Sequence, residues 1–294
     1  MANLPYKRRF GDRKDGRLLR SLAPFYKFTP FIMKTRNDAS NHFRGSVDVS
    51  AIDHYSREKR LEGYKGLGPL HIFIAAYIRT ISQRPAINRF VSGQHIFARN
   101  NIEIVMTVKR ALTADATETT IKVEFSPTDT VFDVYYKMDA AIRVIKNGEA
   151  ENNTEQIAGI LFKFPRLMLR FIISILSAMD YFGLLPQALV NASPFHGSMI
   201  ITDLGSLGIP PIYHHLYNFG NLPVFISFGA KRRITELDRS GQAVQRKYLD
   251  YLVVTDERIC DGYYYASAFK CMKQYLCNPK LLELPPEHVE QDVF

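Results

Sequence analysis

Cysteine is scarce in this chain: Cys260, Cys271 and Cys277 are the only three in 294 residues. An odd, low count in a long chain excludes a disulfide framework as the basis of the fold. The opening Met1-Ala2-Asn3-Leu4-Pro5 has no apolar core of signal-peptide length, so the expectation is a cytoplasmic protein with free thiols. Cys271 and Cys277 read as core packing on or just after a terminal helix, not as metal ligands. No ligand set stands at zinc-like spacing, and no metal is expected. Also missing are a Gly-rich phosphate loop, a serine nucleophile elbow and a paired-carboxylate hydrolase pattern. No internal repeat or low-complexity tract occurs.

A long uninterrupted apolar run is lacking too. The segment from Ile160 to Leu185 comes nearest, with Phe171-Ile172-Ile173-Ser174-Ile175-Leu176 at its centre. A bilayer span needs about 20 mostly apolar residues. Here Pro165, Arg166, Arg170 and Asp180 interrupt it, and charge at a helix centre is costly in hydrocarbon. The reading is a buried or oligomer-interface helix, with an amphipathic helix in contact with a membrane surface as the alternative.

What is present is apolar mass and positive charge. Hydrophobic residues make up 46% of the chain, ample for a sizeable core, and the formal charge is +9. That charge suits either a plain basic surface or a polyanionic ligand steered by a positive field. Nucleic acid is not expected. Lys7, Arg8, Arg9, Arg13, Lys14 and Arg17 are broken up by Gly11, Asp12, Asp15 and Gly16, and no nucleic-acid motif accompanies them. Residues 1–20 are read as a flexible basic arm, and 21–294 as one domain.

Periodicity and punctuation predict the elements. Ser50-Ala51-Ile52-Asp53 offers caps for a short helix over Tyr55–Glu62, and Leu70–Gln83 is a helix that stops before Pro85. Asn101–Val108 and Thr120–Phe125 alternate as strands. Thr128-Asp129-Thr130 opens a helix to about Lys146, and Gly148–Thr154 is a polar linker. Met199–Ile201, Val224–Ile234 and Ala243–Val254 are strands, the last two joined by the turn Asp238-Arg239-Ser240-Gly241.

The most specific signal is Asp256-Glu257-Arg258-Ile259-Cys260-Asp261-Gly262, directly after the apolar run Tyr251-Leu252-Val253-Val254-Thr255. It resembles the Asp-His-Arg-x-x-Asp-Gly signature of dihydrolipoyl acyltransferase cores, and the His-His-x-x-x-Asp-Gly of chloramphenicol acetyltransferase. Asn278-Pro279-Lys280-Leu281-Leu282 is similar to the tail that follows the closing helix of those cores. His196-Gly197-Ser198-Met199-Ile200-Ile201-Thr202-Asp203-Leu204-Gly205 resembles their oxyanion strand. More loosely, Asn41-His42-Phe43 is similar to a Pro-His-Phe strand, and Gly68-Pro69-Leu70-His71 through Ile87-Asn88 to the helix that follows it. The likeness spans roughly residues 20–290 and places the chain with the 2-oxo acid dehydrogenase acyltransferase catalytic domains. The segment at about 156–190 is an apolar helical elaboration without a counterpart there, and no lipoyl domain is read in this chain.

The resemblance implies a two-layer α+β fold, a large mixed sheet packed by helices. It also implies a homotrimer whose site lies between subunits, with coenzyme A or acyl-CoA and a small acceptor entering from opposite sides. Glu257 then stands where the family has its catalytic histidine, and Thr202 where it has the hydroxyl that supports the oxyanion. Asp261, with Arg258 and Gly262, implies loop architecture, the aspartate usually pairing with an arginine. A histidine base near 6.5 lies roughly two units below a thiol near 8.5, and a glutamate near 4.3 lies roughly four below. The extra two units oppose proton transfer by about 3 kcal/mol, on the order of a hundredfold in rate. Burial raises a carboxyl pKa and recovers part of this. His215 or His214, in the loop Pro210–Asn218, and more weakly His196, are candidates for a substitute base; each reads equally as a packing residue. Three functions stay open: an acyl-CoA-dependent transferase, a pseudoenzyme that binds or assembles without turnover, and a membrane-surface acyltransferase.

Overall fold

The computed structural model describes residues 7–109, 118–146, 159 and 161–294. Ten strands are described: β1 Gly16–Leu18, β2 Ser40–Asp48, β3 Arg89–Ser92, β4 His95–Arg99, β5 Ile102–Lys109, β6 Glu118–Phe125, β7 Met199–Asp203, β8 Val224–Phe228, β9 Arg232–Leu237 and β10 Ala243–Asp256. The α-helices are α1 Pro24–Ile32, α2 Ser50–Leu61, α3 Pro69–Gln83, α4 Val131–Lys146, α5 Arg166–Tyr181, α6 Gln187–Ala192 and α7 Gly262–Cys277. The expected α+β class is the one observed.

The large sheet runs β2-β10-β8-β7-β5-β6, with β9 beside the first half of β10. β7 is parallel to both β5 and β8, which makes the sheet mixed. Because side chains alternate across a strand, each strand presents two different surfaces. One face carries Met199, Ile201, Ile226, Phe228, Tyr251 and Val253 into the main core beneath α3, α4 and α7. The other carries Val105, Ile200, Phe225 and Val254, covered by Leu216, Leu222 and Tyr217 from the loop between β7 and β8.

α3 is the central helix. Pro69 opens it, Pro85 follows its end, and Ile72 through Ser82 are buried nearly all round between the sheet and α7. Phe73 stacks on Phe228 of the sheet at 4.9 Å. Such close layering needs glycine at Gly45, where a Cβ would stand 2.1 Å from the Tyr251 ring.

Several expectations change. The run Val224–Ile234 is two strands, because the chain bends at Gly229 and Ala230, where Ala230 N–H donates to the Ile209 carbonyl. β8 and β9 therefore occupy successive lengths of the same edge of β10. α2 begins at Ser50, five residues before the expected start, because Asp48 accepts both the Ser50 amide (2.9 Å) and hydroxyl (2.6 Å). Much of the supposed arm is built in: β1 pairs with β4, and Asp12, Arg13 and Asp15 are buried. Arg13 bridges Asp15 and Asp180 at 2.9 Å each, and Asp12 pairs with Arg20 at 3.0 Å. Cys277 is exposed, not core packing, and Cys260 is the buried thiol; all three are free. The expected linker 148–154 and residue Ile160 lie outside the described residues.

α5, at the centre of the apolar segment, is not buried in the protomer. Leu169, Ile172, Leu176 and Met179 form one partly buried stripe, and Asp180 alone is fully covered. Among the described residues no helix is long and apolar enough to cross a membrane.

Candidate active site

The turn after β10 is built around a buried ion pair. Arg258 Nε and Nη2 donate to the two carboxylate oxygens of Asp256 at 2.8 and 2.7 Å. Both residues are almost fully covered. The remaining donors are used as well: Arg258 Nη1 reaches the carbonyls of Met33 (3.2 Å) and Lys34 (3.3 Å) at the end of α1. Tyr265 O–H donates to the Asp256 carbonyl at 2.9 Å, and Glu257 N–H to that of Ala39 at 2.8 Å. Buried charge is tolerated only when paired and hydrogen-bonded in this way. Glu257, between the two, is the one exposed residue from Tyr251 to Cys260. A rigid backbone thus presents its carboxylate outward.

Asp261 caps α7. Its Oδ1 accepts the Tyr264 amide at 2.7 Å and its Oδ2 the Tyr26 hydroxyl at 2.6 Å. The Tyr26 bond, then the cap, hold this carboxyl below the usual aspartate range. Among the described residues Tyr26, not an arginine, fills the place opposite it; the arginine–aspartate pair of this turn is Arg258 with Asp256. Gly262 has no atom within 4 Å of where a Cβ would stand, so space does not demand a glycine. Burial pushes the Cys260 thiol well up, which makes it unreactive.

Thr202 is half-buried on β7, opposite Ser227 of β8, which in turn faces Leu252 of β10 and then Arg44 of β2. This row lies on the face away from the main core. Glu257 is five residues beyond Leu252, roughly 16 Å along the strand. One protomer therefore holds Thr202 and Glu257 toward opposite ends of the sheet and does not bring them together.

Between them lies a row of register partners: Ile200, Phe225, Val254 and His42. The β7–β8 loop is laid over this row. The His214 ring stacks on Phe225 at 4.2 Å and 5°, and Tyr213 meets His42 edge-on at 5.2 Å. Ser227 Oγ fastens the loop by donating to the Ile212 carbonyl at 2.5 Å. His214 thus covers the row next to that of Thr202 on the same face. His215 points to solvent and packs on Tyr217 at 4.8 Å. His42 was not singled out in the sequence as a site residue. Its signal was its place in the Pro-His-Phe-like strand, and only the register shows which face it occupies.

His196 is elsewhere. It is fully buried before β7, Nδ1 2.8 Å from Ser193 Oγ and Nε2 3.3 Å from Asp180. Burial works against the Asp180 carboxylate, but His196 and Arg13 outweigh it and hold its pKa below the ordinary range. The cluster continues through Asp15 to Asn221 and Arg99, a buried structural network joining the β1–β4 pair to the β7–β8 loop. Among the described residues no three potential ligands gather for a metal.

No protein-family model and no curated protein matches this sequence. Solved structures do. A probable dihydrolipoamide acetyltransferase from Listeria monocytogenes is similar over 87% of this chain and 92% of its own, at 14% identity and a TM-score of 0.54. A dihydrolipoamide acetyltransferase of Azotobacter vinelandii is similar over 94% and 96%, at 12% identity and a TM-score of 0.56. The cubic core of a pyruvate dehydrogenase multienzyme complex is similar over the same shares, at 12% identity and 0.52. At such identities the likeness establishes the fold, and this chain carries the fold of the acyltransferase catalytic cores.

Proposed function

We propose that this chain is a coenzyme A-dependent acyltransferase whose site forms between protomers of a trimer. Glu257 of one copy faces Thr202 and His214 of the next. The observation that carries this reading is the Glu257 turn: a buried, fully hydrogen-bonded scaffold whose only outward group is a carboxylate, at the place of the family's base. Its distance from Thr202 within one protomer fits a site completed by a second copy.

Glu257, helped by the less exposed and ring-stacked His214, would take the proton of a thiol, hydroxyl or amine acceptor. The acceptor attacks the thioester carbonyl, Thr202 donates to the developing oxyanion, and collapse expels the coenzyme A thiolate, which recovers the proton. His214 suits this better than His215, which is exposed. For the phosphates, the face offers excess positive charge: Arg44 and Arg232 share the single carboxylate of Asp250, at 3.5 and 2.7 Å. Both arginines are exposed and can turn to a polyanion.

The test is acyl-CoA turnover with a panel of small acceptors, beside sedimentation velocity. Glu257→Gln and Thr202→Ala should each lower kcat about a hundredfold, with trimers retained. A second reading rests on the solvent exposure of Glu257. Coenzyme A binding without turnover, unchanged in Glu257→Gln, would favour a pseudoenzyme.

A further inference from the structure

Two exposed apolar helix faces flank one turn. On α1, Phe25, Phe28, Phe31 and Ile32 recur at helical spacing and stand in solvent, Phe25 at 72% exposure. The reverse side of α1 is anchored, with Pro30 buried and Tyr26 bonded to Asp261. On α5, Met168, Phe171 and Ile175 form an exposed stripe beside the partly buried one, and Phe164 and Phe182 extend it at either end. The β3–β4 turn links the two. Tyr181 O–H donates to Gln94 Oε1 at 2.7 Å, while Lys27 and Phe31 of α1 border, with Gln94 and His95, a cavity of about 260 Å³.

The exposed charge on both elements has one sign, since Asp180 of α5 is buried against Arg13. Residues 161–179 include Lys163, Arg166 and Arg170 and no acid, and residues 16–37 include no acid either, with Lys27 and Lys34 exposed. On α5 Arg166 and Arg170 stand one turn apart, and Lys163 lies just before the helix.

We propose that α1 and α5 form a docking surface for a membrane rich in anionic phospholipid. The phenylalanines enter the headgroup boundary, and the flanking lysines and arginines meet the phosphates and carboxylates. A helix lying in the interface plane needs this combination of an apolar face and cationic flanks. A second copy of the chain fits less well, because a two-fold contact through this surface sets the same cations against each other. α5 lies on the surface and does not cross: its 16 residues extend about 24 Å, short of the hydrocarbon core. The surface adjoins the Glu257 turn, since Arg258 holds the last carbonyls of α1. The proposal does not depend on acyl transfer.

The test is flotation of the full chain with vesicles of phosphatidylcholine containing phosphatidylserine, and with phosphatidylcholine alone. Binding should favour the anionic vesicles by about tenfold and weaken as salt is raised. The double substitution Phe171→Glu with Ile175→Glu should abolish flotation while far-UV circular dichroism and the melting temperature stay unchanged. Arg166→Glu with Arg170→Glu should abolish that roughly tenfold preference for anionic lipid. No flotation of the wild type, or flotation indifferent to both pairs, overturns the proposal. So does dissociation of the lipid-free assembly by Phe171→Glu with Ile175→Glu, which would assign the face to a second copy.

Discussion

The Asp256–Arg258 turn and α5 are packed in opposite senses, though both border α1 or its neighbouring turn. At the first, two ionised side chains are inside, 1% and 4% exposed, and a carboxylate is presented outward. At the second, phenylalanine and isoleucine are outside, with Phe171 at 66% exposure. The difference teaches what each arrangement needs. Buried charge persists at the turn because guanidinium and carboxylate satisfy one another bidentately and nearby carbonyls take the remaining donor. Exposed apolar surface persists on α5 because only one of its stripes has a partner within the protomer. A contiguous exposed apolar face marks a contact still to be made. The first region is finished within the protomer, and the second is not.

That contrast can be broken at several points. The largest effect is expected from Asp256→Asn, which leaves Arg258 buried without its carboxylate and Arg36, 4.0 Å away, without its strongest counter-charge. Unfolding by urea should show a loss of about 3–5 kcal/mol; a loss below about 1 kcal/mol would mean that the turn is not held as described. Tyr26→Phe should cost about 1 kcal/mol by removing one charge-assisted bond at a partly exposed site. It should also change the acid limb. Because Tyr26 and the α7 cap depress the Asp261 pKa, their stabilisation is complete above the unfolded value near 3.9 and is lost as pH falls toward the lower folded value. In Tyr26→Phe this acid-dependent loss should shrink, seen as a shallower fall in melting temperature between about pH 5 and 3. The smallest effect belongs to α5: Phe171→Glu with Ile175→Glu should alter monomer stability by less than about 0.5 kcal/mol per site. A large loss there would show that the stripe is already covered.

Much of the fold was legible because its signals are local. Pro69 and Pro85 bracket α3, the Thr128–Thr130 cluster opens α4, and Asp238-Arg239-Ser240-Gly241 makes the β9–β10 turn. Tyr251–Gly262 read directly as strand, turn and helix start. The split between β8 and β9 was hidden, because the Gly229 bend depends on a crossing of the chain near Ile209. Asp12, Arg13 and Asp15 looked like a solvated arm, because composition cannot show that Asp180 and Asn221 wait to pair with them. Asp261 was recognised for its loop role, yet its partner Tyr26 lies 235 residues away and no spacing rule connects them.

The site divides in the same way. Glu257 and Thr202 were picked out from motif position, and the histidine pair from its loop after the Thr202 strand. Which histidine leans on Phe225, and that His42 shares its row, follows from strand register alone. By itself, the order of apolar runs, turns and the heptapeptide at Asp256 determined an α+β chain with a mixed sheet and a charged turn leading into the last helix. Such signals are short-range, carried by residues a few positions apart. Only tertiary structure decided that the Asp256–Arg258 pair is buried, that Glu257 faces outward far from Thr202, and that two helices keep their phenylalanines in solvent. Those outcomes depend on which distant segment supplies the matching hydrogen bond or apolar surface, and on whether any segment does.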